Sequence, residues 1–160
     1  MSDLPYRPCA GVMLVNRDGL VFVGQRLDST LEAWQMPQGG IDPGEDALTA
    51  ATRELREETG VVADRVELVA EAGRDFTYDL PTELIGKVWK GKWRGQVQRW
   101  FLFRFLGEDH DVDIRTPHPE FRAWRWIEPA ELPRVIVPFK RQLYEDVLAA
   151  FADHLDVPIR

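Results

Sequence analysis

Three glutamates lie close together in a segment that favours a helix. Glu54, Glu57 and Glu58 are spaced i, i+3 and i+4, so in a helix their carboxylates share one face. Like charges at this spacing repel by roughly a few tenths of a kcal/mol per pair on an exposed surface. A hard divalent cation would remove that penalty, because Mg²⁺ prefers carboxylate oxygens and water. The alternative is an acidic face that binds only water, which two adjacent glutamates alone would favour.

The sequence around these glutamates predicts a loop followed by the helix. Five Pro and Gly residues between positions 37 and 44 exclude regular structure there. The range Ala47 to Thr59 has no Gly or Pro and is rich in Ala, Leu, Glu and Arg, which predicts a helix. We expect Gly60 to end it and Asp42 to cap its start. Its buried stripe is predicted to be Leu48, Ala51 and Leu55.

The glutamates also belong to a longer pattern over residues 39–61. Gly39, Glu45, Arg53, Glu54, Leu55, Glu57, Glu58, Gly60 and Val61 fill Gly-x5-Glu-x7-Arg-Glu-Leu-x-Glu-Glu-x-Gly-Val. This pattern resembles the Nudix box at each of its fixed positions. The resemblance implies an enzyme that hydrolyses a nucleoside diphosphate linked to another group. It also implies Mg²⁺ or Mn²⁺ as cofactor, more than one ion, held by the box glutamates.

Length and composition indicate one globular domain of 160 residues, without a linker or repeat. The net charge of −7 argues against broad non-specific binding of nucleic acid. No apolar run approaches the roughly 18 residues of a membrane span, and the N-terminus lacks a signal-peptide pattern. The single cysteine fits a reducing cytoplasm. We therefore expect a cytoplasmic protein with no membrane contact and no evident obligate protein partner.

Apolar patterning predicts an α/β (α+β) fold in which a mixed sheet is sandwiched between helices. The first two strands should form a hairpin around the turn at 16–19. A C-terminal helix is indicated by apolar residues at every fourth position from Phe139 to Leu155. The predicted strands are Cys9–Val15, Leu20–Gln25, Val66–Glu71, Asp75–Tyr78, Val97–Leu106 and Phe121–Ile127.

A basic segment without acidic residues begins inside the predicted loop from Leu80 to Gly95. Residues 87–99 combine cations and tryptophans, a mixture that suits contacts with phosphates and bases. The alternative is a solvated loop whose tryptophans fold onto the core. The residues concerned are Lys87, Lys90, Lys92, Arg94 and Arg99, with Trp89, Trp93 and Trp100.

Further segments are similar to the bacterial RNA pyrophosphohydrolase group and, in large part, to plant-type diadenosine tetraphosphate hydrolases. They are YRPCAGVMLVNRDG, WQMPQGGIDPGE, GQVQRWFLFRF, PEFRAWRWI and VPFKRQLYEDVL, whereas FTYDLP and KVWKGKWRGQVQRWF favour the second group. The substrate implied is a triphosphorylated RNA 5′ end, a dinucleoside polyphosphate, or both. A hydrolase of damaged mononucleotides and a non-catalytic nucleotide-binding module remain alternatives.

The resemblance implies roles for single residues. The three box glutamates match metal ligands, Glu120 matches a further ligand outside the box, and a carbonyl near Gly39 is a possible extra one. The water's proton would go to Glu57 or Glu58, with Glu120 possible. Arg53 would tie the glutamates in place, and Glu45 would anchor the loop.

The same resemblance implies the substrate contacts. Arg26 and Phe139 match positions that hold a nucleobase in RNA pyrophosphohydrolases. Pro138 departs from the polar residue expected beside Phe139, and the loop from Leu27 to Trp34 looks longer than in the family. The other candidate substrate-binding residues are Gln38, Tyr78, Lys87, Lys90, Lys92 and Lys140.

Overall fold

The computed structural model describes residues 4–27 and 32–155. The longer loop predicted between Leu27 and Trp34 therefore falls partly outside the described residues. The strands are β1 (Tyr6–Val15), β2 (Val21–Arg26), β3 (Gln38–Gly40), β4 (Val66–Glu71), β5 (Phe76–Asp79), β6 (Gly95–Phe105) and β7 (Phe121–Ile127). The helices are α1 (Ala47–Thr59), α2 (Leu132–Val135) and α3 (Arg141–Phe151), with short 3₁₀ turns between elements.

The strands form a mixed sheet in the order β4-β6-β1-β2-β7, with β3 paired to β1 and β5 paired to β6. β1 and β6 run parallel along the whole of β1, and the other pairs are antiparallel. Alternate residues of β6 serve the two faces of this sheet. Phe101 and Phe103 pack with Leu55 of α1, whereas Trp100 and Leu102 pack with Val147 of α3. The predicted sheet between helices is confirmed.

The segment before α1 is inserted between the first two strands. β1 and β2 pair at Val15 and Val21 beside the hairpin turn. Farther from the turn, Gln35 exchanges backbone hydrogen bonds of 2.8 and 2.9 Å with Gly24 of β2, and β3 pairs with Cys9–Gly11 of β1. The insertion fixes residues 38–40 beside the start of β1, from which the chain enters α1.

Helix α1 has the predicted bounds but differs in two details. Asp46, not Asp42, caps its start and accepts a 2.7 Å hydrogen bond from the Thr49 N–H. The prediction failed because Asp42 lies in the turn that precedes the cap, where its carbonyl accepts from the Glu45 N–H. Leu48 is 38% exposed and is not part of the core. The sheet lies on the side of Ala50, Ala51, Leu55, Glu58 and Thr59.

The predicted strands and the hairpin are present with ends shifted by a few residues. The C-terminal helix begins at Arg141, because Pro138 and Phe139 form a separate 3₁₀ turn. Leu143, Val147 and Phe151 are buried as the four-residue spacing predicts. The short helix α2 was not predicted. Within residues 4–27 and 32–155, no helix is long and apolar enough to cross a membrane.

Candidate active site

Helix α1 presents its three glutamates at very different depths. Glu58 is 2% exposed, whereas the Glu57 side chain is the most open and the Glu54 side chain is largely covered. The helix ends at Gly60 in the left-handed conformation (φ 76°), which glycine adopts without strain. Both ends of the helix are thus fixed, and the three carboxylates project from one rigid element.

Arg53 is the centre of a charge network at the start of the site. Its Nε and Nη2 each donate to one oxygen of Glu45 at 2.9 Å, which makes a bidentate pair. Its Nη1 donates to Glu54 at 2.8 Å and to Glu57 at 3.2 Å, and its Nη2 also donates to the Gly40 carbonyl at 2.9 Å. Hydrogen bonding from Arg53 lowers the pKa of Glu45 to about 2. Arg53 therefore holds the helix, the loop and two glutamates together.

Glu58 is buried beside charged groups from its own helix and from two other segments. Burial raises its pKa well above the ordinary value, and Glu54 and Glu120 add to this shift, whereas the charge of Arg26 opposes it. Its Oε2 is enclosed and has no hydrogen-bond partner in the described part of the chain. Glu120 lies at the start of β7, where its backbone carbonyl accepts from the Leu27 N–H at 2.8 Å. The structure thus brings Glu54, Glu58 and Glu120 together, and it places Arg26, predicted as a base contact, beside them.

Two adjacent glycines bring the loop against charged side chains. A Cβ at Gly39 would overlap the Glu54 carboxylate, and a Cβ at Gly40 would lie 2.6 Å from a guanidinium nitrogen of Arg7. Gly39 and Gly40 face opposite sides of the sheet because they are successive residues of β3. Their small size therefore admits a carboxylate on the α1 side and a guanidinium on the α3 side.

Arg7 was not predicted to belong to the site. It lies on β1, directly opposite Gln96 of β6, and its guanidinium stacks 5.9 Å from the centre of the Trp89 ring. A charged residue two positions before buried Cys9, on the same face of one strand, was the available signal. Cys9 itself is fully buried.

Aromatic and cationic side chains gather on the α3 side of the sheet, at a place that we call the pocket. The rings of Tyr78 and Phe139 stack with centroids 5.9 Å apart at 26°. The ammonium of Lys140 lies 5.0 Å from the centre of the Tyr78 ring and 5.8 Å from that of Phe139. Burial, reinforced by the charge of Arg26, lowers the pKa of Lys140 to about 8. Phe139 is half-buried, and its ring packs against that of Tyr78.

Tyr78 itself has an unused polar group. The residue is 8% exposed, and its hydroxyl has no hydrogen-bond partner among the described residues. The Oε1 of Gln38 is enclosed and equally unpartnered. Burial raises the pKa of Tyr78, so its hydroxyl stays protonated and can donate. Each of the two oxygens therefore has unused hydrogen-bonding capacity.

The basic segment is divided by the structure. Lys87, Lys90 and Lys92 are exposed, and they form no ion pair with the residues that the structure describes. Arg94 donates to Asp79 at 3.2 Å, and Arg99, within β6, pairs with Glu71 and Asp75. The sequence predicted five cations with no acidic residue in their segment. Two of them, Arg94 and Arg99, pair with acidic residues of other segments, and the three lysines do not pair within the described residues. Of the three tryptophans, Trp100 is fully buried in the core.

The chain matches the model of one protein family, the NUDIX domain, over residues 5–147. The chain belongs to the Nudix family. Among its curated relatives, the RNA pyrophosphohydrolase of Sphingopyxis alaskensis is 64% identical over 94% of this chain and 95% of that protein. The RNA pyrophosphohydrolase of Dinoroseobacter shibae is 59% identical over 97% of both chains. This chain is therefore a Nudix hydrolase acting on pyrophosphate bonds.

Solved structures share the Nudix fold. An Ap4A hydrolase of C. elegans in a binary complex matches with a TM-score of 0.69 and 22% identity, covering 93% of this chain and 97% of that one. The dihydroneopterin triphosphate pyrophosphohydrolase of E. coli matches with a TM-score of 0.70 and 22% identity, over 91% and 98%. At such identities the likeness concerns the fold.

The Nudix box offers a divalent cation suitable ligands. Nudix hydrolases in general depend on divalent metal ions. In the described ranges, no three His, Cys, Asp or Glu side chains are grouped closely enough to form a metal cluster. Glu54 and Glu57 instead accept hydrogen bonds from Arg53. Carboxylate oxygens are nevertheless the ligands that Mg²⁺ prefers. The unpartnered Oε2 of Glu58 and the room that Gly39 leaves for Glu54 also fit a cation.

Proposed function

We propose that this Nudix hydrolase removes pyrophosphate from triphosphorylated RNA 5′ ends and also cleaves dinucleoside polyphosphates such as diadenosine tetraphosphate. The observation that carries the proposal is the meeting of two sites. Glu58 of the box, Tyr78 and Lys140 are all electrostatic neighbours of Arg26. A carboxylate cluster whose oxygens suit a cation thus adjoins a pocket with cationic and aromatic groups, as a nucleotide polyphosphate requires.

The curated relatives favour RNA as the main substrate, since those at 59–64% identity bear the name RNA pyrophosphohydrolase. Dinucleoside polyphosphates are a second substrate class because an aromatic face stacks any base. The reaction breaks one phosphoanhydride bond: the oxygen of water joins one phosphorus, and the bridging oxygen leaves with the other phosphate.

The buried free Cys9 and the absence of a membrane-spanning helix from the described ranges agree with a cytoplasmic location.

Glu54, Glu57 and Glu58 would hold Mg²⁺ or Mn²⁺, more than one ion, together with Glu120 and the backbone at Gly39. Bound there, the ions would neutralise phosphate charge and lower the pKa of a water molecule. Glu57 or Glu58 takes the proton of the attacking water, with Glu120 as the alternative base. Arg53 positions these carboxylates through the hydrogen bonds described above.

The pocket would bind the rest of the substrate. Lys140 and Arg7 contribute positive charge toward the phosphates, and Gln38 and Tyr78 offer hydrogen bonds from buried polar groups. Arg26 and Phe139 would bind the base. The exposed Lys87, Lys90 and Lys92 extend the positive surface and should make KM rise with salt.

Turnover of two substrates by the purified protein tests the proposal. Triphosphorylated RNA and diadenosine tetraphosphate are offered side by side with millimolar Mg²⁺, and released pyrophosphate, ATP and AMP are quantified. We expect turnover of both and a higher kcat/KM for RNA. A protein that binds these compounds but releases no product would be a binding module, and selective turnover of mononucleoside triphosphates would indicate a house-cleaning hydrolase.

A further inference from the structure

Three buried side chains of β6 form a continuous hydrogen-bonded chain on the pocket side of the sheet. The Trp100 indole N–H donates to Oε1 of Gln98 at 2.7 Å. The Nε2 of Gln98 donates in turn to Oε1 of Gln96 at 2.6 Å. All three residues are at most 1% exposed. These hydrogen-bonded side chains therefore lie beneath the pocket, where water does not compete for their hydrogen bonds.

The chemistry of the indole fixes the direction of this chain. An indole N–H can only donate, so the amide oxygen of Gln98 must face Trp100. The Gln98 nitrogen then faces Gln96, whose own oxygen is thereby occupied. The Nε2 of Gln96 remains, and no described residue accepts a hydrogen bond from it. This nitrogen is therefore the end of the hydrogen-bonded chain that keeps an unused donor among the described residues.

The register of the sheet defines the neighbours of Gln96, the residue at which the hydrogen-bonded chain ends. Gln96 pairs with Arg7 of β1 on one side and with Tyr78 of β5 on the other. Directly paired residues point to the same face of a sheet. A guanidinium, an amide NH₂ and an unpartnered hydroxyl therefore stand in one row across three strands. Each of the three can donate hydrogen bonds, which suits an anionic ligand.

We propose that the Gln96 amide donates a hydrogen bond to a phosphate oxygen of the substrate, and that Trp100 positions this amide through Gln98. The proposal rests on the proposed function for the identity of the ligand, a nucleotide polyphosphate. Gln98 and Trp100 touch no substrate. They act by preventing the Gln96 amide from turning its oxygen toward the phosphates, where two acceptors would repel.

Methionine substitutions test the chain because methionine keeps the length of glutamine without its hydrogen bonds. Gln96→Met should lower kcat/KM about tenfold or more, the loss expected for a hydrogen bond to a charged group. Gln98→Met frees the Gln96 amide to rotate and should lower kcat/KM by several-fold. The double variant should be no slower than Gln96→Met, because both changes remove one interaction. Gln142→Met, which removes an exposed hydrogen bond to Asp146 on α3, is the matched control and should not change kcat/KM.

Affinity and nuclear magnetic resonance give readouts that do not depend on turnover. The Kd of a methylene-bridged dinucleoside polyphosphate, which cannot be cleaved at the bridge, should rise in the same order as kcat/KM falls. Inorganic tripolyphosphate should shift the side-chain amide signal that Gln96→Met abolishes, and in Gln98→Met that shift should shrink. A protein that binds the analogue without cleaving natural substrates would refute the proposed function and leave this comparison intact.

Two results would overturn the inference for Gln96 and Gln98. The first is an unchanged Kd and kcat/KM in the folded fraction of Gln96→Met, which would make the chain a structural feature of the core. The second is additive losses in the double variant, which would separate Gln98 from Gln96. Trp100→Phe, which keeps the aromatic packing and removes the N–H, should reproduce the Gln98→Met effect on Kd. A wild-type Kd there would exclude positioning by Trp100.

Discussion

Replacement of Gly39 by alanine is expected to displace the Glu54 carboxylate and to slow the reaction. The added Cβ would overlap the carboxylate carbon and both oxygens, far inside the 3.0 Å that real Cβ contacts respect. The side chain must therefore move by roughly an ångström, against the 2.8 Å hydrogen bond that Arg53 donates to it. Misplacement by about 1 Å can cost roughly a hundredfold in rate, and overpacking costs about 1–3 kcal/mol of stability.

The measurement is kcat at saturating Mg²⁺ and RNA substrate, with the free energy of unfolding measured in denaturant. Gly73→Ala is the matched control, because a Cβ there meets nothing within 4 Å and the backbone needs no left-handed conformation. We expect about a hundredfold lower kcat for Gly39→Ala and an unchanged kcat for Gly73→Ala. Full activity of Gly39→Ala would show that the position of the Glu54 carboxylate does not matter to the reaction.

Three further changes probe the network and the pocket. Arg53→Lys cannot reproduce the bidentate pair with Glu45 and should lower the free energy of unfolding by about 2–4 kcal/mol, measured in denaturant. A loss below about 0.5 kcal/mol would contradict the role of Arg53 in holding the loop to the helix. The free-enzyme pKa of Lys140 is about 8, so kcat/KM should fall as pH rises through about 8 and the ammonium is lost, whereas Lys140→Arg should show no such fall. Phe139→Ala should lower kcat/KM about tenfold for nucleotides and spare tripolyphosphate; a loss of about 3–5 kcal/mol of stability with unchanged kcat/KM would instead make Phe139 a core residue.

The box helix could be predicted from sequence because its signals are local. Composition gave the bounds of α1, and Gly60 gave its end. The wrong cap, Asp42, arose because several acidic residues precede the helix and only the backbone decides which one sits at the boundary. Leu48 was misplaced because spacing defines helix faces but not which face meets the sheet.

The pocket depended on contacts that no local pattern contains. Arg7 reaches the site because β1 and β6 run parallel in one particular register. Gln96 is identified as a candidate phosphate contact only by the hydrogen bonds from Trp100 to Gln98 and from Gln98 to Gln96, which no sequence pattern indicates. Conversely, Glu54 and Glu58 share one face because helical spacing within the box constrains their geometry, whereas Glu120 joins them through the position of the residue before β7.

The most direct test of the central claim is a titration of metal ions with triphosphorylated RNA as substrate, for the wild type and for Glu57→Gln. Glu67→Gln, which changes an exposed glutamate on β4 that pairs with Arg104, is the control. The account predicts pyrophosphate release that requires Mg²⁺ or Mn²⁺, remains in Glu67→Gln, and falls by orders of magnitude in a folded Glu57→Gln protein. Undiminished release in excess EDTA, or by Glu57→Gln, would contradict it.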